Sequence, residues 1–231
     1  MPGSVKRIVC LANSYKNGER CIAGKELDAS DTGDWIRPVS ARAKGEVSGR
    51  ERRYKDGSEP DLLDVIDVAL IEAQPQTYQT ENWLLDPAIK WAKTRKAVWK
   101  DLAALVDTPK SLWINGHHTA HGVNDHVPEG DAKTLRGSLY LIQLDKMKVH
   151  VLRQHTSTGG SIHKVRGEFK YRGVDYNLKI TDPYADEHFR VQGDGVYPVE
   201  QCYLTLSLGE PFQGACYKLI AGIVTKKRAN R

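Results

Sequence analysis

Apolar positions along this chain fall mostly at strand spacing, alternating with polar ones or running unbroken for a few residues. The clearest alternation is in residues 163–172, HKVRGEFKYR. There Val165, Phe169 and Tyr171 share one parity, and Lys164, Arg166, Glu168, Lys170 and Arg172 share the other. Strand side chains point alternately to the two faces of a sheet, so this segment predicts a half-buried strand with a basic outer face. Gly173 supplies a turn, and Tyr176, Leu178 and Ile180 carry the apolar face onto a second strand. The same period marks 202–208, followed by a turn over 209–214 and a closing strand over 217–224. Unbroken β-branched runs at 8–11 (IVCL) and 62–73 (LLDVIDVALIEA) predict central strands, the second ended by Pro75.

Residues 35–39, WIRPV, also read as a strand, with Trp35, Arg37 and Val39 on one side and Ile36 and Pro38 on the other. Pro38 has no N–H for a ladder, so the strand is an edge or ends there. The runs LYLIQL (139–144) and KVHVL (148–152) predict a hairpin turning at Asp145-Lys146, with a turn-rich break at 156–161. One helix is predicted after the N-cap and first-turn pair Asp86-Pro87. At about 100° per residue, Trp91, Val98, Trp99, Leu102, Leu105 and Val106 gather on one face and Lys90, Lys93, Lys96 and Lys100 on the other, before Pro109. The fold class that follows is mainly β with one long helix (α+β), arranged as two small barrels.

Two segments lack periodicity. Residues 43–61 are dense in charge and predict an exposed connection. Residues 108–133 form a Gly-rich loop with Leu112, Trp113 and Ile114 as a packing plug and His117, His118, His121 and His126 beyond it. Their spacing fits no standard zinc pattern, and a loop that closes over a ligand is the preferred reading.

The chain has 231 residues, enough for one large or two small domains with a proper core. A net charge of +5 permits an anionic partner without demanding one. Cys10, Cys21, Cys202 and Cys216 form no CxxC pair and read as reduced core residues. No signal peptide is evident, and no apolar run approaches the roughly 18 to 20 residues of a membrane span, so a cytoplasmic protein is expected. No phosphate-loop, dinucleotide, nucleophile-elbow or HExxH motif occurs. The enzyme case has no motif behind it.

Positive charge beside aromatic side chains on a sheet face suits a polynucleotide backbone with its bases stacked. The candidate nucleic-acid-binding residues are therefore Trp35, Arg37, Lys164, Arg166, Lys170, Tyr171 and Arg172, with Lys93, Lys96 and Lys100 secondary. Trp35 and Tyr171 read equally as core residues, and the lysine stripe as a wet helix face.

The strings CLANSYKNGERCIAGKEL, GDWIRPVSAR, LLDVIDV, ENWLLDP and CYLTLSLGEPFQGACYKLIAGIV together resemble the bacterial dual OB-containing domain (DuOB) family, over nearly the whole chain. That resemblance implies two OB-like β-barrels packed together and brings no catalytic residues with it. OB barrels bind oligonucleotides, or other ligands, across a sheet face and its loops. The expected division is 1–135 for the first barrel, with the helix and long loop, and 136–231 for the second.

The leading expectation is a non-catalytic module for single-stranded DNA or RNA. It has nucleic acid as partner, a protein as a further candidate partner, no cofactor, no metal and no membrane. The alternative is an interaction or nucleotide-ligand sensor protein with the His-bearing loop as lid. A metal-dependent nuclease using Asp182, Asp186 and Glu187 stands third.

Overall fold

The computed structural model describes residues 4–27, 33–155 and 161–231. Its first half holds strands β1 (Ser4–Lys16), β2 (Glu19–Glu26), β3 (Trp35–Val39), β4 (Asp64–Ala73), β5 (Asn82–Leu85) and β6 (Ala92–Lys96). Pairing runs β1–β2–β3–β5–β4 and back to β1, closing a five-stranded barrel in which only β3–β5 is parallel; β6 lies beside β4. The second half holds β7 (His126–Pro128), β8 (Leu139–His155), β9 (Ser161–Tyr171), β10 (Val174–Ile180), β11 (Gly195–Phe212) and β12 (Ala215–Thr225). Its pairings follow the same circuit, β8–β9–β10–β12–β11 and back to β8, again with one parallel pair, β10–β12.

Three hairpins share one turn chemistry. Lys16 pairs with Glu19, Tyr171 with Val174 and Phe212 with Ala215, leaving two-residue loops. Both loop residues have positive φ in each: Asn17 and Gly18 (49° and 82°), Arg172 and Gly173 (48° and 83°), Gln213 and Gly214 (52° and 78°). This is the turn whose twist matches that of the flanking strands. Each second position is glycine, for which the left-handed backbone is free of steric cost.

The predicted long helix is absent. Residues 92–96 instead form the edge strand β6, whose Asp67↔Ala92, Ile66↔Lys93, Val65↔Arg95 and Asp64↔Lys96 pairs tie it to β4. A seven-residue 3-10 helix, Trp99–Leu105, follows. Trp91 and Leu102 are both fully buried. Helical spacing thus identified the anchors, but the free edge of β4 took the intervening residues into a ladder. The predicted hairpin at Asp145-Lys146 is also absent, because β8 runs straight through and Lys146 pairs with Glu200 of β11. Asp145 and Lys146 are exposed, so their polarity reflects solvent rather than a turn. The break predicted at 156–161 lies outside the described residues except for Ser161.

The barrels meet along β1, β8, β11 and β12. Leu141, Tyr203 and Val224 of the second half pack into the apolar core of the first. The Thr205 hydroxyl donates to the Leu11 carbonyl at 2.6 Å, and the Tyr15 amide to the Thr181 carbonyl at 2.9 Å. Ala12, Ala23 and Ala221 form a small apolar cluster with Leu139 between the barrels. A Cβ at Gly222 would collide with the Leu11 carbonyl oxygen, so this glycine permits the approach.

The basic C-terminal tail is docked. It forms the short helix α4 (Lys226–Ala229), after α1 (Gly49–Arg52), α2 (Glu129–Ala132) and α3 (Pro183–Arg190). Arg228 is buried and pairs with Asp182, with Asp61 at 3.3 Å and with the Ile223 carbonyl at 3.0 Å. β7 pairs with β12, so residues 126–128 join the second sheet although they precede the expected division at 135.

Candidate functional site

The sequence-predicted residues separate into two groups. Arg37, Lys164 and Arg166 line one cleft of about 790 Å³ between the barrels. The others lie elsewhere. Trp35 is half-buried against the core, its indole N–H donating to Asp107 at 3.0 Å while Lys25 lies 5.6 Å from its ring centre. Lys93 pairs with buried Asp64 at 2.6 Å, and Lys170 pairs with Asp175 at 3.2 Å. Lys96 ends β6, and Lys100 lines a separate small groove with Arg95 and Asp101. The Tyr171 hydroxyl donates to the Pro109 carbonyl at 3.0 Å, and Arg172 lies 5.7 Å from the Tyr171 ring centre. The lysine stripe has no helix to run along, and the outer face of β9 is not uniformly basic: Lys148 and His150 both reach Glu168.

The cleft draws on matching parts of the two circuits. The first barrel contributes the tip of the β1–β2 hairpin, Tyr15, Lys16 and Asn17, together with Arg37 and Lys44. The second contributes Lys164 and Arg166 from β9, Lys179 from β10, and Glu210, Phe212 and Tyr217 from the β11–β12 hairpin. Tyr15 is 48% exposed and Phe212 62% exposed, unusual for rings this size, and both stand at the cleft. The Arg20 guanidinium lies 4.6 Å from the Tyr15 ring centre, and the Phe212 and Tyr217 rings are 6.5 Å apart.

Charge in the cleft is graded. Lys16 is tied to Glu210 at 2.7 Å, and Arg166 to buried Asp125 at 3.0 Å. Among the described residues, Lys44, Lys164 and Lys179 have no ion-pair partner. Burial pushes the Asp125 carboxyl up, but hydrogen bonds from Thr119 and His126 and the Arg166 charge overcome this and hold it below the usual range. Burial lowers the Arg166 guanidinium by more than Asp125 restores. This pair therefore fastens the loop to β9 and leaves little charge to offer a ligand.

The His-bearing loop is an internally bonded plug. The Asp125 carboxylate accepts from Thr119 N at 2.9 Å and Thr119 Oγ1 at 2.5 Å, Asn124 Oδ1 from Gly116 N at 2.6 Å, and His118 Nδ1 from Asn124 N at 2.9 Å. Inside the second barrel the amine of Lys218, only 1% exposed, donates to the Ile114 carbonyl at 2.7 Å and to Asn115 at 3.0 Å. Burial lowers its pKa to about 7 against a weaker opposing effect of Asp125.

Of the carboxylates considered for a nuclease, Asp182 is engaged otherwise. Asp182 caps α3, accepting from Tyr184 N at 3.1 Å and Ala185 N at 3.4 Å, and its second oxygen binds Arg228 and the Ile223 amide. Among the described residues no cluster of three or more His, Cys, Asp or Glu is placed to hold a metal ion.

Tyr15, Lys44, Lys179 and Phe212 were not singled out from sequence. Phe212 directly precedes one two-residue hairpin turn and Tyr15 stands one residue back from another, the one local sign that their rings are displayed near a tip.

No helix among the described residues is long and apolar enough to cross a membrane. No curated protein and no solved structure matches the chain. The family model of the dual OB-containing domain matches residues 6–223, and its two barrels are the architecture that the two closed strand circuits display. The chain belongs to the dual OB-containing domain family.

Proposed function

We propose that this protein binds single-stranded nucleic acid, DNA or RNA, non-catalytically in the cleft between its barrels. The observation that carries this reading is the convergence of three lysines without an ion-pair partner among the described residues, Lys44, Lys164 and Lys179, with two exposed aromatic rings, Tyr15 and Phe212, on one concave surface. Lysines neutralise phosphates while rings stack on bases, and both contacts tolerate any sequence. The strand 2–3 face and the hairpin tips of an OB barrel are its usual ligand-binding parts. Here they are β9, β10 and the β11–β12 tip of the second barrel, facing the β1–β2 tip of the first.

The test is fluorescence anisotropy of a labelled oligonucleotide across a salt series. Three phosphate contacts give a log–log salt slope of about −2 for a single strand. Replacing Lys44, Lys164 and Lys179 together by alanine should remove most of that slope and weaken binding about tenfold or more at low salt. Unchanged affinity in a folded triple variant refutes the reading. A nucleotide-sized ligand is the second reading, favoured by a cleft volume inside the usual range for small ligands. Thermal stabilisation by a mononucleotide, with none by oligonucleotides, would select it.

A further inference from the structure

We infer that the binding site runs past the cleft: the rings of Phe212, Tyr217, His126 and His117 form a track on which further bases of the same single strand stack. This deepens the nucleic-acid reading of the cleft and rests on it.

Strand register places cations and rings on one side of one sheet. Arg166 of β9 faces Lys179 of β10, and Lys179 faces Leu219 of β12. Side chains two residues apart on a strand share a face, so Tyr217 stands on the same side as Leu219. Tyr217 in turn faces His126 of β7. The opposite parity, Cys216, Lys218 and Val127, is buried. Arg166, Lys179, Leu219 and Tyr217 all line the cleft. The outer face of the second barrel thus carries its cations on β9 and β10 and its rings on β12 and β7.

The rings are consecutive neighbours. Ring centres are 6.5 Å apart from Phe212 to Tyr217, 5.9 Å from Tyr217 to His126 and 5.7 Å from His126 to His117. Phe212 and Tyr217 line the cleft, and the two histidines continue the row beyond its lining. Successive planes are tilted by 52°, 44° and 47°, so no ring lies flat on the next. Phe212 is exposed and the others are half-buried. Asp125 holds the histidine end in place. Its Oδ1 lies 3.2 Å from His126 Nδ1, and its amide donates to the His117 carbonyl at 3.1 Å. The His-bearing loop is therefore fixed beside the cleft instead of closing over it.

The ligand class follows from what the row offers. It contains no lysine or arginine, and the carboxylate next to it is unfavourable for a phosphate. Flat rings suit bases: Phe, Tyr and His all serve as stacking platforms, and stacking accepts any base. The cleft lysines hold the backbone, and bases beyond them lie on the rings. A short oligonucleotide fills the cleft alone, whereas a longer one also uses the track, and that added affinity carries no added salt dependence.

The experiment is anisotropy with oligo-dT of about 4 and about 12 nucleotides, both within the site sizes of OB barrels, at two salt concentrations. His117→Ala with His126→Ala should weaken the longer ligand by about fivefold or more, the low end of what one lost base–ring stack costs. The shorter ligand should change by less than about twofold, and both salt slopes should stay as in the wild type. His117→Phe with His126→Phe, which keeps the rings and removes the imidazoles, should restore binding of the longer ligand. If the double alanine variant does not fold, His117→Ala alone removes the outermost ring and gives the same readout. A folded alanine variant that binds the longer ligand as the wild type does overturns the track. So does an equal loss on both lengths, or a folded phenylalanine variant as weak as the alanine one. Binding of the shorter ligand then still supports the cleft reading. A wild type that binds neither length overturns both.

Discussion

β2 of the first barrel and β9 of the second hold the same place in their circuits and spend their outer faces differently. In β2 the four residues from Ile22 to Lys25 are all buried, because Leu139 and Ala221 of the second barrel lie against its outer side. In β9, Val165, Gly167 and Phe169 are buried while the residues between them are not, and its outer side borders the cleft. Two copies of one architecture thus separate into a barrel that presents its sheet to its neighbour and a barrel that presents its sheet to a ligand. The cores differ as well. The first buries the apolar Trp91 completely, whereas the second buries the amine of Lys218.

The sharpest way to break this comparison is to spoil the contact that covers the first barrel. Gly222→Val drives a branched side chain into the Leu11 carbonyl and the Leu62 side chain. Overpacking of this kind costs about 1–3 kcal/mol, and more where backbone is struck. A marked drop in denaturation midpoint is expected, and an unchanged midpoint would mean the barrels do not approach this closely in solution.

Next in size is the contrast between the cores, read through pH. The Lys218 amine titrates near 7 when folded, against 10.5 for a free lysine. Between those values the unfolded chain binds the extra proton, so wild-type stability rises with pH across that window and the cost of the buried charge is fully present below 7. The slope is on the order of 1.4 kcal/mol per pH unit within it. Lys218→Met removes this dependence. Its stability relative to wild type should be most favourable near pH 6 and fall steadily towards pH 10, as measured by urea unfolding. A difference independent of pH would show that the amine stays charged.

The smallest effect tests which end of the outer face of β9 is the working one. Lys170→Ala with Arg172→Ala removes one cation already paired and one resting on Tyr171, so oligonucleotide affinity should change less than about twofold. Lys164→Ala, in the cleft, should cost more and reduce the salt slope by about 0.7. The reverse order would move the ligand onto the outer end of the β9–β10 hairpin.

Much of the β architecture was legible locally. The Val165–Phe169 alternation and the turns at Asn17-Gly18 and Gly173 are decided by neighbours two residues apart. The 86–106 segment misled because its anchors, Trp91 and Leu102, satisfy helical spacing equally well as the two ends of a strand followed by a 3-10 turn. Nothing within 92–96 records that β4 offers a free edge. The basic residues misled for a related reason, since a lysine carries no sign of its partner. Lys16 meets Glu210, 194 positions away, and Arg166 meets Asp125, 41 positions away.

The amino-acid order alone therefore determined most of the strands, where the glycine turns fall, and the family to which the whole belongs. Tertiary structure decided which cations remain unpaired, which rings stay exposed, and that Tyr15 and Phe212 stand on the same cleft. The physical reason is range. Backbone conformation and side-chain alternation are set within a few residues, whereas charge neutralisation and concavity depend on groups that only the closed barrels bring together.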